Sequence, residues 1–183
     1  MSWRSPAGPL IHEHRIIERM VAVLQREQQT AVSRGRVDTV VIDAAVDFIR
    51  TYADRCHHGK EEDILFRRLA EKNLDSSLAE AMAGLIADHV YARTLTRELV
   101  DANGRYKQGD HDSLLQIESK VRALVEFYPV HIEKEDLHFF RPCLEYLSEA
   151  EQAEMLRDFD EFDRALIHRK YQTVVEELER TSA

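Results

Sequence analysis

Residues 46–64 read Val-Asp-Phe-Ile-Arg-Thr-Tyr-Ala-Asp-Arg-Cys-His-His-Gly-Lys-Glu-Glu-Asp-Ile. Val46, Ile49, Ala53, His57, Glu61 and Ile64 step through this stretch by threes and fours. At about 100° per residue, that spacing puts all six on one face of an α-helix. The face is apolar at both ends and carries a histidine and a glutamate, four residues apart, in its middle. An ionised carboxylate on a core face is costly to bury unless a cation compensates it. His58 and Glu62 fall off the line.

The same pattern recurs outward in both directions. In the first helical segment, about Pro9 to Ser33, His14 lies within the apolar stripe Leu10, Ile17, Val21, with His12 on the far side and Glu18 at the edge. In the third segment Leu78, Met82, Leu85, His89, Ala92 and Thr96 form a stripe. In the fourth, Leu124, Phe127, His131, Glu135 and His138 do so. The second segment runs from about Val37 to Lys72. The third opens at a capping box, Ser77 with Glu80, and ends near Asn103-Gly104. The fourth runs from about Asp110-His111-Asp112 to before Ser148. A second capping box, Ser148 with Glu151, opens a fifth segment that reaches about Arg180.

Short connections between long helices force antiparallel neighbours. The expected fold is therefore all-α, an antiparallel up-down-up-down four-helix bundle over about 9–147 with an additional C-terminal helix over about 149–180, in a single domain spanning 1–183. In such a bundle one layer falls early in odd helices and late in even ones. His14, His57, His89 and His131 obey that alternation. The fifth helix has its own apolar set (Met155, Leu156, Phe159, Phe162, Leu166, Val174, Val175 and Leu178). It is expected to pack outside the bundle or against a second copy, which would give a homodimer.

Composition narrows the class. The 183 residues carry a net charge of −9, nine histidines, two cysteines, six glycines and four prolines. The acidic balance argues against a nucleic-acid partner, and no window reaches the ~18 apolar residues that span a membrane. No secretory signal is visible. Cys56 and Cys143 make no disulfide framework, so a cytoplasmic setting is the default. The surplus of histidine is the unusual feature. Imidazole suits iron, zinc and copper, and a carboxylate has two oxygens with which to bridge two cations. Imidazoles and carboxylates together in a dry bundle core are the parts of a dinuclear iron or manganese site.

At Glu13-His14-Arg15, His57-His58-Gly59-Lys60-Glu61-Glu62, Asp88-His89 and His131-Ile132-Glu133-Lys134-Glu135-Asp136 the chain resembles the hemerythrin family, in its bacterial hemerythrin-like, HHE cation-binding branch. The resemblance covers roughly residues 10–147. It implies a carboxylate-bridged non-haem centre of two iron ions per chain, with His14, His57, Glu61, His89, His131 and Glu135 as ligands. It also implies a small diatomic ligand such as oxygen. Two departures stand out. Oxygen-carrying members have a further histidine one turn after the third-helix ligand, where this chain has Arg93. They also place a bridging aspartate five residues after the fourth-helix histidine; that spacing lands on Asp136, whereas the helix face selects Glu135, and Asp136 remains the alternative. Glu18, His138, a tyrosine (Tyr52, Tyr91 or Tyr128) or water is expected to fill the missing place, with Arg93 paired to Glu18 or a bridging carboxylate. His12, His58, His111 and His168 read as surface residues or caps, and Cys56 as a packed thiol. Three functions fit this reading: binding of oxygen or a related ligand; redox chemistry on peroxide, nitric oxide or ferrous iron; and an iron-dependent sensor or interaction module.

Overall fold

The computed structural model describes the backbone of residues 5–181 and the side chains of residues 5–166. Helix α1 is Ala7–Arg34. Helix α2 runs unbroken over 39–70, but its turns widen to an i→i+5, π-helical pattern over Ile49–His58 and Glu61–Phe66. Helix α3 is Ser76–Lys107. Helix α4 runs over 113–144, with Pro129 inside it and a π-helical stretch at Lys134–Phe139. Helix α5 is Glu149–Thr181. Among the described residues there is no strand, and no helix is long and apolar enough to cross a membrane.

Local chemistry sets the helix ends. Gly35 terminates α1 at φ 60°, and its N–H donates to the carbonyl of Ala31 at 3.0 Å; this left-handed cap suits a residue without a Cβ. The Ser148–Glu151 box is formed. Ser148 N–H donates to Glu151 Oε2 at 2.8 Å, and Glu151 N–H donates to Ser148 Oγ at 3.3 Å. The start of α3 differs from expectation. Its cap is Asp75, whose carboxylate accepts from Leu78 N–H at 2.9 Å. The Tyr146 hydroxyl donates to the same carboxylate at 2.9 Å, so a tertiary contact holds Asp75 in place and the Ser77–Glu80 box is not used.

Helix α4 packs along α1 and α3, and α2 lies beside the same two, which closes the bundle. Its interior is divided. One apolar cluster holds Ile17, Leu24, Ile42, Ala53, Leu99 and Leu124. A second holds Leu10, Leu65, Leu85, Phe139, Met155 and Phe159. Along α1 the chain passes from Leu10 in one cluster, through His14, to Ile17 in the other, and each of the four helices makes the same passage through its histidine. The polar layer therefore lies between two dry cores.

Helix α5 covers the bundle against the π-helical part of α2. Met155 and Phe159 are its buried anchors. Gly59 permits the close approach, because a Cβ there would stand 2.8 Å from the Phe162 ring. Lys60, only 1 % exposed, ties three helices together by donating to Glu13 on α1 and, at 2.9 Å, to Asp163 on α5. Val174, Val175, Leu178 and His168 lie outside the described side chains.

Phe159→Ala should cost about 3 kcal/mol by removing a fully buried aromatic ring. Chemical denaturation should show that loss, and hydrogen exchange should show the amides of α5 opening before those of the other helices.

Candidate metal centre

The four sequence-predicted histidines and both glutamates meet in the polar layer, all at most 1 % exposed. His58, expected at the surface, is buried beside them at 1 %. The widened turns over Ile49–His58 are the reason. Each i→i+5 turn takes one more residue than an α turn, so the register drifts and two successive residues, His57 and His58, both face inward.

Seven side chains form two facing groups. His14, His57, Glu61 and Glu135 each offer an atom within 4.8 Å of the others, and so do His58, His89 and His131. The two carboxylates span the groups. Glu61 Oε1 lies 3.6 Å from His57 Nε2, while its Oε2 lies 3.4 Å from His89 Nε2. Glu135 Oε2 lies 3.1 Å from His14 Nε2, while its Oε1 lies 3.4 Å from His131 Nε2 and 3.7 Å from His89 Nε2. Each carboxylate thus presents one oxygen to each group.

Behind every imidazole stands an acid. His14 Nδ1 donates to Asp136 at 2.7 Å, His57 Nδ1 to Glu13 at 3.0 Å, His89 Nδ1 to Glu62 at 2.6 Å, and His131 Nδ1 to Asp88 at 3.4 Å. His58 Nδ1 lies 3.5 Å from Asp54. A carboxylate only accepts, so Nδ1 carries the proton and Nε2 turns a lone pair inward, the usual arrangement behind a metal-bound histidine. Cations hold the acids in turn. Arg15 pairs with Asp136, Lys60 with Glu13, and Lys134 with Asp88. Arg93 donates to Asp54 at 2.6 Å and to Glu62 at 2.8 Å.

The inward-facing atoms fit a cation. Glu61 Oε1 and Oε2, Glu135 Oε1 and Oε2, and the Nε2 atoms of His58, His89 and His131 are buried without a hydrogen-bond partner among the described residues. His14 Nε2 and His57 Nε2 stand 2.9 Å apart, a separation at which two lone pairs need a proton or a metal between them. Burial and then the neighbouring imidazoles hold His57 and His58 far below the ordinary histidine range, which keeps both neutral. Burial lowers His131 as well. Burial would also lower His14, but the bonds from Asp136 and Glu135 outweigh it and lift this group to about 9. Burial and the Glu135 charge push Glu61 up. Glu135 is held down against its own burial by His131, His14 and His89. Without a metal the layer must keep protons to stay balanced; with one, carboxylates and neutral imidazoles are ready ligands.

Several expectations are corrected by this geometry. Glu18 points outward and pairs with Arg15 at 2.8 Å. His138 is exposed because the widened turn at Lys134–Phe139 carries Phe139 to the inward position instead. Tyr91 is 50 % exposed. Arg93 pairs with neither Glu18 nor a bridging carboxylate but with two acids that support imidazoles. Glu135 faces the centre, whereas Asp136 sits behind His14. His58 of the second helix lies in the layer with His89 and His131, its ring stacked on that of His89 at 3.9 Å. The signal for it was present: Asp54, His58 and Glu62 form a second stripe of fours alongside Ala53, His57 and Glu61. A further acidic group, Glu13, Cys56 and Asp163, already surrounds the Lys60 ammonium. Burial also pushes the Cys56 thiol up to about 12, which leaves it unreactive.

A helical bundle with a buried layer of histidines and carboxylates defines a bundle-core cation site. The family profile described as the hemerythrin HHE cation-binding domain matches residues 6–143, and the chain belongs to that family. No curated protein and no solved structure matches the chain.

His58→Ala should lower the metal bound per chain as strongly as His57→Ala, while His12→Ala and His138→Ala leave it unchanged; elemental analysis after metal loading reads all four. Glu13→Gln should weaken metal binding by roughly ten- to hundredfold through the loosened His57 ring, as measured by chelator competition.

Proposed function

We propose that the chain binds two iron ions bridged by Glu61 and Glu135, with His14 and His57 on one and His58, His89 and His131 on the other, and that the centre binds oxygen or a related diatomic ligand. The observation that carries this reading is the division of oxygens: each buried carboxylate turns one atom to each imidazole group. The donor set of neutral nitrogens and carboxylate oxygens suits iron.

The count of donors is unequal. Two imidazoles and two carboxylate oxygens serve one position, and three imidazoles with two carboxylate oxygens serve the other. The His14–His57 side is therefore the less filled and the better placed to accept an exchangeable ligand. When bound, the iron pair supplies the electrons for reversible oxygen binding. The chain's own residues do the rest. The two apolar clusters exclude bulk water from the layer. The Nδ1 hydrogen bonds fix the orientation and tautomer of His14, His57, His89 and His131. Asp136, anchored by Arg15, holds the proton of His14 on the outer side.

The fifth imidazole also bears on the choice between carriage and redox turnover. With Arg93 in place of a histidine, one ligand fewer would favour redox turnover. His58 restores the number, which favours a stable adduct.

Iron loading under anaerobic conditions should give two iron ions per chain. Mixing the reduced protein with oxygen should give an adduct that persists and is released when oxygen is removed. Rapid, irreversible oxidation on first contact would reject carriage, and a limit of one iron per chain would reject the bridged pair. Acidification should release the metal, because protons compete for the same imidazole nitrogens; iron retained on the protein well below the histidine range would count against imidazole ligation.

A further inference from the structure

On the outer side of His58, between the π-helical stretch of α2 and the middle of α3, lies a cavity of about 280 Å³. It approaches the small end of ligand pockets, about 300 Å³, and is too small for a macromolecular partner. Arg50, Arg93 and Arg97 line it, against the single carboxylate of Asp54. Three arginines, two of them exposed (Arg50 and Arg97), line one cavity in a chain whose net charge is −9.

These cations are not spent equally. Arg93 is engaged with Asp54 and Glu62 through Nε and Nη2. Arg50 and Arg97 line the same cavity and make no hydrogen bond or ion pair with any described residue. Tyr128 adds a hydroxyl to the lining. It is 1 % exposed and lines the cavity, and its hydroxyl has no hydrogen-bond partner among the described residues. Burial raises its ionisation beyond the usual tyrosine range, so it remains a neutral donor. A buried donor without an acceptor is costly, and planar guanidinium forks match the two oxygens of a carboxylate. Ile49 and Ala92 supply an apolar wall.

We propose that this cavity is a binding site for a small carboxylate or equivalent oxyanion, held by Arg50, Arg97 and the Tyr128 hydroxyl beside the metal layer. The site stands on its own donors and does not depend on which metal the centre holds. His58 is the residue common to both.

The test uses the full chain loaded with zinc, which is redox-silent. Benzoate and nitrite are titrated as organic and inorganic oxyanions, with benzamide as the uncharged control. Binding is read from the NMR signals of the arginine Nε–H groups and the Tyr128 ring. At least one anion should bind saturably, and benzamide should not. Arg97→Met should weaken that binding roughly tenfold, the worth of one charge-assisted hydrogen bond, without changing the zinc bound per chain. Tyr128→Phe should weaken it while keeping the ring. If Tyr128→Phe does not fold, Arg50→Met replaces it, because Arg50 is exposed. Three results would overturn the site: no saturable response to either anion, equal binding of benzamide, or unchanged affinity in Arg97→Met, which would put the anion on the metal instead. Failure of these outcomes leaves iron loading untouched, so the two proposals are tested separately.

Discussion

Glu61 and Glu135 are fully buried, and their oxygens face the Nε2 atoms of His14, His57, His89 and His131. In an apolar bundle that arrangement is unfavourable unless positive charge sits in its midst. Much of the surrounding structure serves the constraint. The dry core is split in two so that the layer can lie between the halves. Every imidazole is backed by an acid, and all five acids are ion-paired to an outer cation, with Asp54 and Glu62 sharing Arg93. A buried polar network is stable only when all its members are satisfied. Here the chain satisfies the outer Nδ1 atoms of His14, His57, His89 and His131, and the inner half matches a cation.

The same network reaches the periphery. His57 is oriented by Glu13, Glu13 by Lys60, and Lys60 also holds Asp163 on α5. The C-terminal helix is thus joined to the layer by a chain of charged contacts as well as by Met155, Phe159 and Phe162. Gly59 serves this joint, because only a residue without a side chain lets the Phe162 ring lie against α2.

Much of this was legible in the sequence. The stripes at His14, His57, His89 and His131, their alternation along successive helices, and the Ser148–Glu151 box all follow from a regular 100° helical step. What escaped reading is what breaks that step. Widened turns at Ile49–His58 and Lys134–Phe139 shift the register, which brings His58 in and turns His138 out. A constant period cannot foresee an extra residue in a turn. Tertiary contacts account for the other differences. Tyr146, in the turn after α4, settles the cap of α3 on Asp75, and Lys60 is buried because acids from two other helices converge on it. A charged residue reads as exposed until its partners, distant in sequence, are known.

The bridged pair of ions is the claim on which the account depends, and Mössbauer spectroscopy of the oxidised, iron-loaded protein tests it most directly. The account predicts two iron environments in equal amount, reflecting the unequal imidazole count, coupled through their bridges to a diamagnetic ground state. A single, isolated paramagnetic ferric ion would contradict it.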